Sequence, residues 1–471
     1  MSQKKVLQLS IFIISSLILL SRAACQPSPV STPSLMPVVN LQTASPTPTV
    51  LPEGLRLTLD ELTGQNISIW VPWLDDRADQ LSYLVEDFNS TNAYGIRVEI
   101  TTWGGEMALS DAMADGLTDS STVPDVFIAR PEDAFSFQRA GIELVALDDY
   151  LASPDWGLSE DERDDLISPV WQFGEEDGLQ YGVPAETLGH FLFYNLTWGL
   201  ELGFNAPPKT HEDFLLQTCK AERANLGDGT KTNDGTGGWL IASDSSSMLA
   251  WLAGFGFQIP TNAPYLFNLP ETKSTFDYLK SLLVKECAWL GKQTTPYDYF
   301  ASRYTLIYSG TQADIAGQRA VFSRTGNTDQ WVLIPYPVKS GISTTLVDGT
   351  DYFIIKSDPV LQMAAWLFLR WMNEPDQQVR LSQTNGVWPS RSSVTKTLET
   401  ENSSDLIYTY VYRAMETIQP VPHAADWAIV RRIFEDAAWQ LFQPESRVNQ
   451  IPSLLENLDA TIEEILAMDE E

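Results

Sequence analysis

The sequence predicts a mixed α/β protein built as two packed halves. Strand-like and helix-like stretches alternate from residue 67 onward, which is the pattern of a largely parallel sheet flanked by helices. Residues 54–471 number some 418, more than one hydrophobic core normally serves. The alternation also continues to the C-terminus without an internal repeat.

The elements read as follows. Ile67, Ile69 and Val71 fall on one face of a short strand, and Leu81, Leu84, Val85 and Phe88 follow at the i, i+3, i+4, i+7 spacing of a helix. Strand 97–100, a helix around 107–117 and the apolar strand 124–128 complete a βαβαβ unit. Ligands of such sheets sit beyond the carboxyl ends of the strands, which singles out Trp73, Trp103 and Arg130. Further on, 188–196, 304–308 and 332–334 read as strands and 276–284 as a helix. Residues 359–372 form a strongly apolar helix opened by proline. The last helix, 451–468, carries Leu454, Leu455, Leu458, Ile462, Ile465 and Leu466 as a stripe for core packing.

The N-terminus reads as an export signal. Lys4 and Lys5 precede the uncharged, mostly apolar run 6–20, and Ala23 and Ala24 supply small residues. The run is shorter than the roughly 20 residues needed to span a bilayer, so residues 1–24 are expected to be removed. Cys25 follows Arg22-Ala23-Ala24, which resembles a bacterial lipobox and implies acylation of Cys25; Arg22 stands where Leu is usual, and plain secretion is the alternative. Residues 26–53 hold seven prolines and eight serines or threonines with no charge before Glu53, the composition of an extended tether. At about 3.1 Å per residue it reaches up to roughly 90 Å.

Loss of Lys4, Lys5 and Arg22 takes the formal charge from −32 to −35. Nucleic acid is disfavoured as a partner, and so are polyanions. Cys219 and Cys287 remain in an oxidising compartment and suggest a disulfide, with two buried thiols as the alternative. The three histidines, His190, His211 and His423, are too scattered for a metal repeat, and neither a glycine-rich phosphate loop nor Gly-x-Ser-x-Gly occurs. No cofactor is expected. A pair of catalytic carboxylates needs no proximity in sequence, so a surface glycan hydrolase stays as the alternative function.

The order of segments resembles the family 1 extracellular solute-binding proteins. The likeness rests on Ile67-Ser68-Ile69-Trp70 leading to Pro72-Trp73, Glu86-Asp87-Phe88-Asn89, Pro124-Asp125-Val126-Phe127, Asp177-Gly178 with Tyr181-Gly182-Val183-Pro184, Asp348-Gly349-Thr350, and Gly386-Val387-Trp388-Pro389-Ser390-Arg391. It implies a periplasmic-binding-protein-like type II fold, with a ligand cleft between two lobes. Lobe one is then 54–186 plus 303–353, and lobe two 187–302 plus 354–471, with hinges near 186–188, 303–306 and 351–353. It further implies a monomeric receptor, lipid-anchored outside the cytoplasm, that delivers a sugar, polyol or similar polar molecule to the membrane subunits of an ABC importer.

A sugar receptor needs aromatic plates for C–H faces and planar polar partners for hydroxyls, because an unsatisfied buried hydroxyl costs on the order of 1 to 3 kcal/mol. Trp73, Trp103, Trp251 and Trp388 are the candidate plates among 15 tryptophans, with core packing as their alternative role. Glu106, Arg130, Glu186, Asp351 and Arg391 are the candidate polar contacts, with solvated charge or a structural ion pair as theirs.

Overall fold

The computed structural model describes residues 55–119, 122–293, 295–339 and 343–469; the expected signal segment, Cys25 and the tether lie outside them. β1 (Asn66–Val71) pairs in parallel with β2 (Arg97–Thr102) and β3 (Val126–Ala129). Ile67, Ile69 and Val71 are buried as alternate residues, as a half-covered strand requires. The helix Asp76–Thr91 starts where the Asp75 carboxylate accepts from Arg77 N, and its buried side is Ala78, Leu81, Leu84, Val85 and Phe88. Beyond a small hairpin of β4 (Glu175–Glu176) and β5 (Leu179–Gln180), the long β6 (Gly182–Asn195) begins.

The remaining strands are β7 (Gly237–Leu240), β8 (Ala288–Trp289), β9 (Thr305–Thr311), β10 (Trp331–Ile334), β11 (Thr345–Ile354) and β12 (Ile418–Pro420). Their order is β2-β1-β3-β11-β6-β9-β7-β8, with β10 on β6 and β12 on β11. Side-chain alternation on β3 and β11 divides the first core over two faces: Val126, Ile128, Tyr352 and Ile354 pack on one, Phe127, Ala129 and Phe353 on the other. A second core gathers around β6, β7, β9 and β10.

Two strands belong to both cores. On β6, Val183 and Ala185 pack in the first core and Phe191 to Tyr194 in the second. On β11, Leu346 and Val347 pack in the second and Tyr352 and Ile354 in the first. Between these apolar ends lie buried polar residues, Glu186, Thr187, His190, Asp348, Thr350 and Asp351. The strands run antiparallel and unusually close: a Cβ on Gly349 would stand 2.0 Å from the Glu186 carbonyl oxygen, so only glycine fits.

The expected partition between halves needs two corrections. Residues 303–339 do not join the first core: β9 pairs with β6 and β7, and Leu306, Ile307, Tyr308, Phe322 and Leu333 lie in the second. The 303–306 hinge therefore falls inside the second core. Conversely, the helix Pro359–Met372 packs Met363 to Leu369 and Met372 in the first core, against β1 and the helix Asp76–Thr91. The cause is β11, which already returns the chain before residue 355.

Cys219 and Cys287 form a disulfide with Cα atoms 4.3 Å apart, and both lie in the second core. Closing a loop of this length removes about 4 kcal/mol of chain entropy from the unfolded state. The helix Ile451–Asp469 buries Leu455, Leu458 and Ile462, with Leu454 and Leu466 packed beside them, so its stripe is core. No helix among the described residues is long and apolar enough to cross a membrane.

Candidate functional site

The parallel strands β1, β2 and β3 release their chains on one edge of the sheet, at Trp73, Trp103 and Arg130. Trp73 is nearly buried, and the Arg77 guanidinium lies 5.2 Å above its ring. Arg77 reaches Asp75 at 2.8 Å and, on β6, Glu186 at 3.4 Å. Trp103 meets Trp70 edge to face at 4.9 Å, and its indole nitrogen is buried with no hydrogen-bond partner.

Arg130 caps the helix Pro131–Ala140, opened by proline and closed by left-handed Gly141, and its side chain turns back to the strand ends. It lies 3.2 Å from Glu106 and 3.4 Å from Asp348 on β11. Asp348 is a junction: its other oxygen is 3.1 Å from His190 Nε2 on β6, and Ser246 Oγ, in the first turn of the second-core helix Ser245–Gly254, donates to it at 2.6 Å. Arg431, on the second-core helix Trp427–Phe442, reaches back to Glu132 at 3.2 Å and Asp133 at 3.4 Å on the helix Arg130 caps. The two cores thus face each other across charge.

The electrostatics follow from burial and these pairings. Burial alone raises the Asp348 carboxyl, but His190, Arg130 and the Ser246 hydroxyl outweigh it and hold it well below the usual carboxylate range. Burial disfavours the His190 imidazolium, yet Asp348 beside it raises its pKa overall. Burial pushes Glu186 up to about 7 against the pull of Arg77, and Glu132 up to about 7 against Arg130 and Arg431. Asp351 is driven well above its ordinary value by burial and by the charge of Glu132; its Oδ2 has no hydrogen-bond partner.

Of the residues picked from sequence, Trp73, Trp103, Glu106, Arg130 and Glu186 come together at this seam. Asp351 lies below it in the first sheet, against Gly174 and Gly182. Three do not join it. Trp251 is fully buried in the second core among Phe214, Trp239 and Tyr336. Trp388 packs its ring on Gly189 and Phe191. Arg391 is 2% exposed and donates to the Asn373 and Glu162 carbonyls, an anchor for the loop after residue 386. Burial accounts for all three: in sequence, a large or cationic side chain that fills a core or clamps a loop reads the same as one that lines a site.

Sequence reasoning missed Arg77, Asp348, His190, Ser246, Glu132, Asp133 and Arg431. For His190 and Asp348 the signal was present, ionisable residues within strand stretches that also carry Glu186 and Asp351. For Arg431 there was none, since its partners lie some 300 positions earlier.

The Ser246, Asp348 and His190 contacts are not a nucleophile's. In a serine triad the imidazole stands between serine and carboxylate, whereas here the carboxylate stands between the other two, and His190 has no contact with the hydroxyl it would have to deprotonate. Among the described residues no group of three or more His, Cys, Asp or Glu is disposed to hold a metal ion. The side chains gathered at the seam are indole faces, planar guanidinium and carboxylate groups, and an imidazole.

The family of bacterial extracellular solute-binding proteins matches the chain over residues 83–406. No curated protein matches it in sequence. Among solved structures, UgpB from Mycobacterium tuberculosis in complex with glycerophosphocholine is similar with a TM-score of 0.72 at 16% identity, covering 86% of this chain and 99% of that one. The sugar-binding protein MalE from Xanthomonas citri gives 0.71 at 18%, covering 86% and 98%. The cyclic alpha-maltosyl-1,6-maltose binding protein from Arthrobacter globiformis gives 0.68 at 20%, covering 84% and 98%. At such identities the likeness is one of fold.

Proposed function

Because this chain belongs to the bacterial extracellular solute-binding protein family, we propose that it is the receptor of an ABC importer, capturing a carbohydrate or similar polyhydroxylated molecule at the seam between its two cores. The observation that carries the reading is the convergence of Trp73, Trp103, Glu106 and Arg130 at the strand ends with Asp348, Ser246 and Arg431 opposite. The sugar and glycerophosphocholine complexes among the similar structures support it.

In this reading the cores are lobes and β6 and β11 the hinge. Opening separates Arg130 from Ser246 and Arg431 from Glu132 and lets water reach the charges. A ligand that touches both lobes shifts the equilibrium toward closure by its differential affinity for the closed form, and the importer subunits recognise that form. The protein works outside the cytoplasm as a monomer, held to the membrane by acylated Cys25 and the tether.

The test is a panel of mono- and oligosaccharides and polyols read by intrinsic tryptophan fluorescence and thermal shift. A receptor at 100 times its Kd gains about 2.7 kcal/mol and returns its ligand chemically unchanged, one per protein. Shortened products identify a hydrolase instead. A panel without any stabilising member removes the receptor reading.

A further inference from the structure

β6, β11 and the step from Val387 to Trp388 carry the chain from one core to the other, and they meet at one place. The Trp388 amide donates to the Thr187 carbonyl on β6 at 3.0 Å, and its ring fills the space over Gly189, where a Cβ would stand 2.4 Å from Cη2. On the other edge of β6, Gly349 of β11 lies against the Glu186 carbonyl. A hinge needs its crossings close together, because separated crossings would have to stretch as the bodies turn.

At this place β6 loses its neighbour. β9 pairs with it from Tyr194 back to His190, opposite Thr311, and then leaves for the helix Asp314–Thr325. Gln312, 1% exposed, puts its side-chain amide where the next strand residue's backbone would be: Oε1 accepts from Gly189 N at 2.7 Å, and Nε2 donates to the Thr187 carbonyl at 2.8 Å. A carboxamide carries the same donor and acceptor as a peptide group, so Gln312 extends the ladder by one step without extending the strand. Gly386, entering the third crossing, passes so close that a Cβ would stand 3.1 Å from Ala313 Cα. Immediately beyond this clamp the ladder between β6 and β11 slips: Thr350 pairs with Glu186 but Asp351 with Pro184, so Ala185 is left over, and Pro184 offers no N–H. The bulge is the least restrained stretch of the two strands, and it adjoins the clamp.

We propose that Gln312 is a positioning residue that sets the pivot of the opening motion: its amide fastens β6 to the second core as far as Thr187, so that bending is confined to the bulge at 184–186 and 350–351. This rests on the reading that the two cores are lobes, and specifies where they turn. The Leu188 side chain, partly buried, leans back on the first core, a contact made across the joint. With β6 fixed from Thr187 onward, His190 and Asp348 travel with Ser246 as one rigid surface, while Arg130 departs with the first core. Without the clamp, bending spreads along β6 and that surface loses its shape.

The experiment compares the full secreted chain, free of ligand, with Gln312→Met, which keeps the length of the side chain and removes both hydrogen bonds. Residue-resolved hydrogen exchange should show the Gly189 amide exchanging about tenfold faster in the variant, while Phe193, inside the ladder between β6 and β9, keeps its rate. Small-angle X-ray scattering should show the radius of gyration rise by about 1 Å, since closed halves are the most compact arrangement and a looser hinge spreads them. Gln312→Glu covers a failure of the first variant to fold. A neutral carboxyl accepts and donates as the amide does, whereas an ionised one cannot donate to the Thr187 carbonyl. Its radius should match the wild type's in acid and exceed it once the introduced carboxyl ionises. In Gln312→Met the two readouts must move together. A faster Gly189 amide with an unchanged radius reduces Gln312 to a local hydrogen bond, and an unchanged amide removes the clamp; either overturns the proposal while the two-lobed receptor stands. Failure of the receptor reading shows itself separately, as a sugar panel without a stabilising member.

Discussion

The second core and the seam are held by opposite means. In the core, Trp251 packs edge to face on Phe214 at 4.9 Å and on Trp239 at 5.4 Å, and the Cys219–Cys287 bridge closes the chain over it. At the seam the two cores touch through Arg130 on Asp348, Arg431 on Glu132 and Asp133, and Arg139 on Asp426, with β6 and β11 continuous across it and the chain passing over once more between Val387 and Trp388. Apolar packing is short-ranged and indifferent to pH, and water gives nothing back when it is broken. Charges regain hydration when separated, so an ionic seam opens at far lower cost than a core does. The proposed hinged receptor needs this division: rigid halves and a contact that a ligand worth a few kcal/mol can tip.

Four perturbations test that contrast, beginning with the largest. Trp251→Ala should cost about 4 kcal/mol, measured by denaturant unfolding, because the cavity lies in a core that cannot collapse around it. A small cost together with lost ligand binding would return Trp251 to the ligand surface. Next is the pH dependence of stability. A carboxyl raised in the folded state binds its proton more tightly folded than unfolded. Glu186 therefore stabilises the fold below about pH 4.5, and that contribution is lost as pH climbs through about 7, for a total on the order of 3 kcal/mol. Glu186→Gln should flatten this slope; a wild-type profile already level between those limits contradicts the burial of its charge.

Arg431→Met leaves Glu132 and Asp133 without their shared cation at a seam rather than in a core. The expected loss is about 2 kcal/mol near neutral pH, less than for Trp251→Ala and smaller still in acid, where Glu132 takes up a proton. Equal losses at both pH values would show that Arg431 acts through packing alone. Smallest is Lys356→Ala, which removes a solvent-exposed pair with Glu143; its effect on Tm should correspond to under about 0.5 kcal/mol, the baseline against which the seam pairs are judged.

The alternation of Ile67, Ile69 and Val71 and the stripe Leu81, Leu84, Val85, Phe88 were readable because periodic burial leaves a periodic trace. The position of Trp103 and Arg130 at strand ends was readable because the βαβ alternation marks where each parallel strand stops. Trp251 and Trp388 were not separable from them, since an indole near a loop looks the same in sequence whether it fills a core or lines a cleft. Nor was the packing partner of 303–339, because Leu306, Ile307 and Leu333 are apolar enough for either core and only pairing with β6 and β7 decides between them.

By itself the sequence determined the α/β alternation, the charge and which residues end the parallel strands, because each depends on neighbours in the chain or on composition. The tertiary structure alone decided which core each segment joined and that Asp348 meets Arg130, His190 and Ser246. Those contacts join residues between 102 and 218 positions apart, where the strength of a charge depends on the burial and partners the fold creates around it.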